Sequence, residues 1–177
     1  MKGARRLAMI VTRSEDETVR FGEALGRELR TGDVVALVGP LGSGKTYFAK
    51  GLAKGLGVGA DQIVKSPTFA LINEYDGRVR VYHFDAYRFT DPAELEALGA
   101  VEILGGDNVS IVEWAERVEA ALPDPHLRVE FDHVSPTERR VTLAAVGRFR
   151  ELPRLVKEGL QRKDAETAKH AKKKTEN

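Results

Sequence analysis

Gly39-Pro40-Leu41-Gly42-Ser43-Gly44-Lys45-Thr46 is the segment whose residue types and spacing speak most directly of chemistry. It fits the pattern G-x-x-x-x-G-K-[ST] at every fixed position. Phosphate oxygens need several backbone N–H donors converging on one point, and glycines let the main chain wrap that closely. A helix starting where such a loop ends adds the positive end of its dipole. Lys45 can then reach the β- and γ-phosphates of a nucleotide, and the Thr46 hydroxyl can take one Mg²⁺ position. Strand before and helix after make a glycine-rich turn that binds nothing the weaker reading.

Two carboxylates stand at the ends of strand-like runs. Glu113 follows Ser110-Ile111-Val112, at a strand's carboxyl end, where α/β sheets gather their ligands. It can hold Mg²⁺ directly or through water, or it is an ordinary strand-end glutamate facing solvent. Asp85 can polarise an attacking water or join the Mg²⁺ shell, unless it only breaks its strand as an Asx turn. Ser66-Pro67-Thr68 reads either as a γ-phosphate switch stiffened by proline or as a plain turn. His83 alternates with Asp85 on one strand face, and a lone histidine there is more often packed than catalytic. His126, His133 and His170 lack ligand-like companions and are assigned no metal. Arg88 is either a stabilising charge or half of a salt bridge, and Trp114, the only tryptophan, reads first as a core or interface anchor.

The elements that must position these groups follow from periodicity. Ser14-Glu15-Asp16-Glu17 resembles a capping box, and Phe21, Leu25 and Leu29 recur at helical spacing behind it. Val34 to Val38 is a short, β-branched apolar run, as expected of a strand buried on both faces. Lys45 to Leu56 reads as a helix with Phe48, Ala49, Leu52, Ala53 and Leu56 inward. Phe69 to Tyr75 and Arg78 to Phe84 form a hairpin around Asp76-Gly77, the composition of a type I′ turn. Asp91-Pro92-Ala93-Glu94 starts another helix. Val109 to Val112 is a buried strand, followed by a helix to Leu122 that Pro123 and Pro125 break. Leu127 to Asp132 and Arg139 to Val146 make a second antiparallel pair, residues 148–160 a terminal helix, and 161–177 a disordered tail.

Composition bounds the rest. The chain has 177 residues, 42% hydrophobic and 31% charged, which suits one soluble domain over 1–160 with a tail. No cysteine occurs, so disulfides, thiolate zinc sites and cysteine nucleophiles are excluded. The longest run free of charge is Val34 to Gly44, eleven residues, against about 20 for a membrane span. The N-terminal apolar stretch is too short for a secretory signal, so a cytosolic protein is expected. Net charge is +1, yet residues 161–177 alone hold six Lys/Arg against three Asp/Glu. The body is therefore slightly acidic and shows no nucleic-acid footprint; RNA contact would fall to the tail, a local patch or a partner. No aspartate is followed three residues later by glycine after the loop, and NKxD is absent, which disfavours GTP.

Beyond the loop, further blocks carry a family resemblance. They are Ser66-Pro67-Thr68-Phe69, Asn73-Glu74-Tyr75, His83-Phe84-Asp85-Ala86-Tyr87-Arg88, the run DPAELEALG, and Glu113-Trp114. In this order and spacing, over about residues 10–147, the chain resembles the TsaE family (formerly YjeE), small bacterial ATPases needed for N6-threonylcarbamoyladenosine in tRNA. The resemblance implies ATP and Mg²⁺ as ligands and the TsaD and TsaB proteins as partners, with tRNA met only indirectly or through the tail. It implies that Glu113 is a magnesium ligand, that Asp85 is functionally important, and that Ser14 and Glu15 approach the adenine. Pro40 and Ser43 depart mildly from many relatives without removing a required donor.

The expected fold is α/β: a phosphate-loop NTPase-like, mostly parallel central sheet with added antiparallel hairpins. Lys45, Asp85 and Glu113 are the candidate catalytic residues and Thr46 and Glu113 the candidate metal ligands. Leu41, Gly42, Ser43, Gly44, Lys45, Thr46 and Tyr47, with Glu15 and Thr68, are the candidate nucleotide contacts. With the resemblance, these imply an Mg²⁺-dependent ATPase; since no second cation besides Lys45 is clearly fixed at the site, it is expected to be slow alone and stimulated by its partners. A small-molecule kinase with HFDAYR lining an acceptor site, and a nucleotide-sensing module with incidental hydrolysis, are the rival classes.

Overall fold

The computed structural model describes residues 5–145 and Phe149. The elements are β1 (Arg5–Thr12), α1 (Glu15–Glu28), β2 (Val34–Val38), α2 (Lys45–Gly55), β3 (Ile72–Tyr75), β4 (Arg80–Asp85), α3 (Ala93–Ala97), α4 (Ala100–Ile103), β5 (Asn108–Glu113), β6 (Leu127–His133) and β7 (Arg139–Ala145). They form one seven-stranded sheet in the order β1-β7-β6-β2-β5-β4-β3. The four central strands β6, β2, β5 and β4 run parallel. Antiparallel β7 and β1 extend one edge and antiparallel β3 the other. The expected α/β class is borne out.

β2 shows why a continuous apolar run was needed. Val35 and Leu37 face a core built with Phe21, Leu25, Phe48, Leu52 and Phe131. Val34 and Ala36 face a second core with Phe84, Leu95, Val112 and Ala115. A strand with helices or turns on both faces has no solvated side on which to place polar residues. Fully burying a side chain such as Phe48 or Leu52 contributes roughly 1.5–3 kcal/mol, and Phe48 adds edge-to-face contacts with Phe21 at 5.4 Å and Phe131 at 5.3 Å.

α1 and α2 meet backbone to backbone. A Cβ on Gly51 would lie 2.2 Å from the Val19 carbonyl oxygen, and one on Gly22 would lie 2.4 Å from that of Phe48. Only glycine permits that approach, which fixes the start of α2, and with it Lys45 and Thr46, against the sheet. Half of the capping box forms at the head of α1: the Glu17 amide donates to Ser14 Oγ at 3.1 Å, while the Glu17 carboxylate reaches past the cap to accept from the Arg13 amide at 2.7 Å.

Several local expectations are corrected. Residues 5–12 form a strand that periodicity did not reveal, because its outward positions Met9 and Val11 are apolar as well and no polar–apolar alternation shows. The first hairpin strand begins at Ile72 rather than Phe69; the chain turns through Leu71, a non-glycine residue at φ 65°, while the Leu71 amide donates to the Pro67 carbonyl at 2.7 Å. The connection is longer than a two-residue type I′ turn, since Tyr75 pairs with Val81 and neither Asp76 nor Gly77 has positive φ. Gly77 is required for closeness instead: its missing Cβ would sit 2.6 Å from the Leu56 carbonyl oxygen. The helix begun at Asp91 is split into α3 and α4 at Gly99, φ 67°. After Glu113 come two 3-10 turns, Ala115–Arg117 and Glu119–Ala121, in place of one helix. The expected helix over 148–160, apart from Phe149, and the tail over 161–177 lie outside the described residues.

Candidate nucleotide site

Parallel register assembles the site. Leu37 at the end of β2 lies beside Glu113 at the end of β5, and Glu113 lies beside Asp85 at the end of β4. β2 feeds the glycine-rich loop, so the loop and both carboxylates open at one edge of the sheet. Below that edge lies a cleft of about 470 Å³, a size that suits a small ligand. Its walls include Leu41, Gly42, Ser43, Gly44, Lys45, Thr46 and Tyr47 from the loop and α2, with Thr68, Asp85 and Glu113 opposite. Of the nucleotide, metal and catalytic candidates, only Glu15, with Ser14 beside it, lies elsewhere.

Loop and helix start are suited to an anion. α2 begins without a side-chain cap and without an acidic residue in its first turn. Its leading N–H groups therefore have no carboxylate or hydroxyl among the described residues to satisfy them. Ser43 Oγ is buried without a hydrogen-bond partner among the described residues. A buried orphan hydroxyl beside uncapped amides is a donor set that phosphate oxygens satisfy. Gly42 at φ 73° and Gly44 at φ 103° carry the turn that aims them.

Lys45 is held away from bulk water. Its Nζ donates to the Gly39 carbonyl at 2.6 Å and the Pro40 carbonyl at 2.9 Å, and sits 3.7 Å from the centre of the Trp114 ring. Burial lowers its pKa below the ordinary lysine value of 10.5, opposed by the charges of Glu113, Glu116 and Asp85. Trp114 occupies left-handed backbone, φ 58°, which turns its ring into the cleft beside Tyr87, with ring centres 4.9 Å apart. Arg117 stacks over both rings, 5.3 Å from that of Tyr87 and 5.9 Å from that of Trp114.

Each carboxylate has partners of its own. Glu113 Oε2 accepts from Thr46 Oγ1 at 2.9 Å, and Oε1 lies 2.9 Å from His83 Nε2. Asp85 Oδ2 accepts from the hydroxyls of Ser66 and Thr68, the latter at 3.0 Å, while Oδ1 accepts from the Tyr87 amide at 2.9 Å. Thr46 and Glu113 thus present hard oxygen donors side by side next to the phosphate loop, the ligand chemistry that Mg²⁺ takes.

Glu15 lines a neighbouring cleft of about 340 Å³ with Arg13, Ser14, Thr137 and Arg139. Tyr47 stands between the two, and Glu15 beside its hydroxyl raises the phenol's pKa. Arg139, unmarked in the sequence, reaches from β7 to within 3.9 Å of where a Gly44 Cβ would stand. Arg88 is exposed, has no ion pair among the described residues and does not line the main cleft; the cation beside its aromatic wall is Arg117. Tyr87, Arg117 and Arg139 carry no sequence signal apart from the family blocks; the turns after β4 and β5 bring the first two here, and β7 brings Arg139.

A family model described as "Threonylcarbamoyl adenosine biosynthesis protein TsaE" matches residues 12–141. The chain belongs to the TsaE family. It is 42% identical to the tRNA threonylcarbamoyladenosine biosynthesis protein TsaE of Bacillus subtilis over 142 residues, 80% of this chain and 87% of the relative. It is 40% identical to the TsaE of Treponema pallidum over 134 residues, 76% of this chain and 98% of that one. The fold is similar to a crystal structure of Bacillus subtilis YdiB, with TM-score 0.73 and 34% identity, covering 93% of this chain and 99% of that one. The TsaE match includes the phosphate loop, Asp85, Glu113 and the β6–β7 pair up to Val141. No described helix is long and apolar enough to cross a membrane.

Proposed function

We propose that this TsaE-family chain is an Mg²⁺-dependent ATPase serving threonylcarbamoyl modification of adenosine in tRNA, with the TsaD and TsaB proteins as partners. The observation that carries the reading is the convergence of Lys45, Thr46, Asp85 and Glu113 on one cleft that also holds uncapped amides and the orphan Ser43 hydroxyl. Names of relatives place the family in tRNA threonylcarbamoyladenosine biosynthesis. Their sequences span nearly the same length as the matched part of this chain.

In the hydrolysis, water attacks the γ-phosphorus, the bond from that phosphorus to the β,γ-bridging oxygen breaks, and ADP and phosphate leave. Mg²⁺ bound with the nucleotide would supply charge neutralisation for the transfer. Thr46 and Glu113 hold the metal side. Lys45 leaves the Gly39 and Pro40 carbonyls for the phosphates, and the loop amides fix them. Asp85 places the water, or holds the Ser66-Thr68 loop that does so; its contacts with both hydroxyls favour the second role. Glu15, Tyr47 and Arg139 form the nucleoside side. Residues 1–160 act as one domain, the basic segment 161–177 is dispensable for ATP binding, and the protein works in the cytoplasm.

Phosphoryl-transfer sites completed in trans gain about 10³–10⁵-fold. A rise of at least about tenfold on adding TsaD and TsaB requires only ~1.4 kcal/mol of extra transition-state stabilisation. Steady-state phosphate release with and without the purified partners, with Lys45→Ala as blank, is the test. Full activity alone, with no response to the partners, would shift weight to a kinase reading.

A further inference from the structure

His83 is the one buried titratable group at the site that the proposed chemistry leaves unused. It stands on β4 two residues before Asp85 and is only 1% exposed. Its Nε2 lies 2.9 Å from Glu113 Oε1, while the other carboxylate oxygen accepts from Thr46. Three secondary-structure elements thus meet in one chain of contacts: β4 through His83, β5 through Glu113, α2 through Thr46. His83 Nδ1 is buried without a partner among the described residues. A carboxylate oxygen only accepts, so Nε2 carries the hydrogen of this contact.

We infer that His83 is a positioning residue for Glu113: its Nε2–H holds Oε1, so that Oε2 faces Thr46 and the metal side of the phosphate loop. This rests on the proposed magnesium role of Glu113. A carboxylate at a strand end rotates about its last two torsions, which are soft. Thr46 restrains one oxygen only, and Thr46 is itself engaged when a cation binds. The second anchor from β4 fixes the carboxylate plane before the metal arrives, so metal binding has less ordering cost to meet. Were His83 only a space-filler, any side chain of similar volume would serve. As a donor, it is replaceable by a side chain that places an N–H at the Nε2 position.

Two substitutions separate these roles. His83→Leu keeps apolar volume and loses the donor; His83→Gln loses the ring and keeps an N–H at a comparable reach. The readout is calorimetric affinity for the non-hydrolysable analogue β,γ-imido-ATP, in EDTA and at saturating Mg²⁺, with the ratio taken as the metal enhancement. His83→Leu is expected to lower that enhancement about tenfold, the scale at which outer partners tune metal ligands. Its affinity in EDTA should stay within about twofold of wild type, and His83→Gln should retain most of the enhancement. Wild-type enhancement in His83→Leu, or an equal loss in both variants, overturns the inference. Thermal unfolding checks each fold, and His83→Ala carries the same expectation if the leucine variant does not fold. Glu113→Gln runs alongside. Undiminished enhancement in Glu113→Gln removes the magnesium role itself, whereas loss there with none in His83→Leu removes only the role of His83.

Discussion

Glu113 and Asp85 end adjacent parallel strands in direct register, yet their surroundings are opposite. Glu113 is tied inward: both oxygens meet side chains on core elements, His83 from β4 and Thr46 from α2. Asp85 is tied outward to a connection without regular structure, through Ser66 and Thr68. That connection is fixed at its base by the buried Pro67 and by the Leu71 amide on Pro67, but its tip shows Phe69 89% exposed. One side of the cleft can therefore shift only if core packing shifts. The other shifts if two hydroxyl contacts break, which places it at the low-stability end of the molecule. A site that must bind phosphates in fixed geometry and still respond to a partner is served by that division.

Lys45 belongs to the fixed side and gives the largest expected effect. Lys45→Ala should lower nucleotide affinity and hydrolysis by at least about 10³-fold, because the motif sets no other cation on the β/γ-phosphates. Calorimetry with ADP and phosphate release report the two losses. Wild-type hydrolysis in this variant, with contaminants excluded, would dissolve the fixed side as drawn. Asp85→Asn should cost about 10²-fold in hydrolysis while affinity stays within a few-fold. The asparagine amide keeps one acceptor oxygen but cannot satisfy two hydroxyls and the Tyr87 amide together. A matching fall in metal enhancement would instead assign Asp85 to the metal, and unchanged hydrolysis would remove it from the site.

Sequence alone revealed the fixed side better than the movable one, for a physical reason. The phosphate loop is local, eight consecutive residues whose backbone shape is encoded by glycines, and β2 announces itself by being apolar throughout. Glu113 was legible because a short buried run ends on it. The Asp85 contacts with Ser66 and Thr68 span 19 and 17 residues and depend on a turn at Leu71, a residue with no turn propensity. The helix expected after Glu113 failed for the same reason. Trp114 in left-handed backbone starts two 3-10 turns, and tertiary contacts with Lys45, Tyr87 and Arg117 override a helical pattern. Edge strand β1 escaped because its solvent-facing positions carry Met9 and Val11, so the exposed and buried faces read alike.

The lowered pKa of Lys45 gives a smaller effect, confined to alkaline pH. Between that pKa and the ordinary 10.5 the unfolded chain holds a proton that the folded chain has released, so stability rises with pH across this window. Nucleotide affinity moves the other way, because the neutral amine no longer attracts phosphate. Metal-free ADP affinity should be flat up to the lowered pKa and then fall by up to about tenfold per pH unit. Affinity unchanged to pH 10.5 would mean that the Gly39 and Pro40 carbonyls and the Trp114 ring hold the proton on more firmly than burial removes it.

Ser66→Ala gives the smallest expected effect and the sharpest comparison between the two sides. It deletes one of the two hydroxyls on Asp85 Oδ2 and leaves the other, Thr68 at 3.0 Å, in place. The buried Pro67, the Leu71 amide on its carbonyl, and the Asp85 amide on the Leu71 carbonyl at 3.0 Å also remain. The loop should keep its mean position and open more often. A hydrogen bond to a charged acceptor contributes about 1.5–3 kcal/mol when buried, and the remaining Thr68 contact and water at this half-buried site offset most of that. Amide exchange across residues 66–71 should then quicken about tenfold, hydrolysis should fall about threefold, and ADP affinity should not change. Exchange in α2 and β5 should be the same as in wild type, because no contact of the Thr46–Glu113–His83 chain passes through Ser66. Faster exchange on both sides together would mean that the two carboxylates move as one unit, and the division between a fixed and a movable wall would have to be given up.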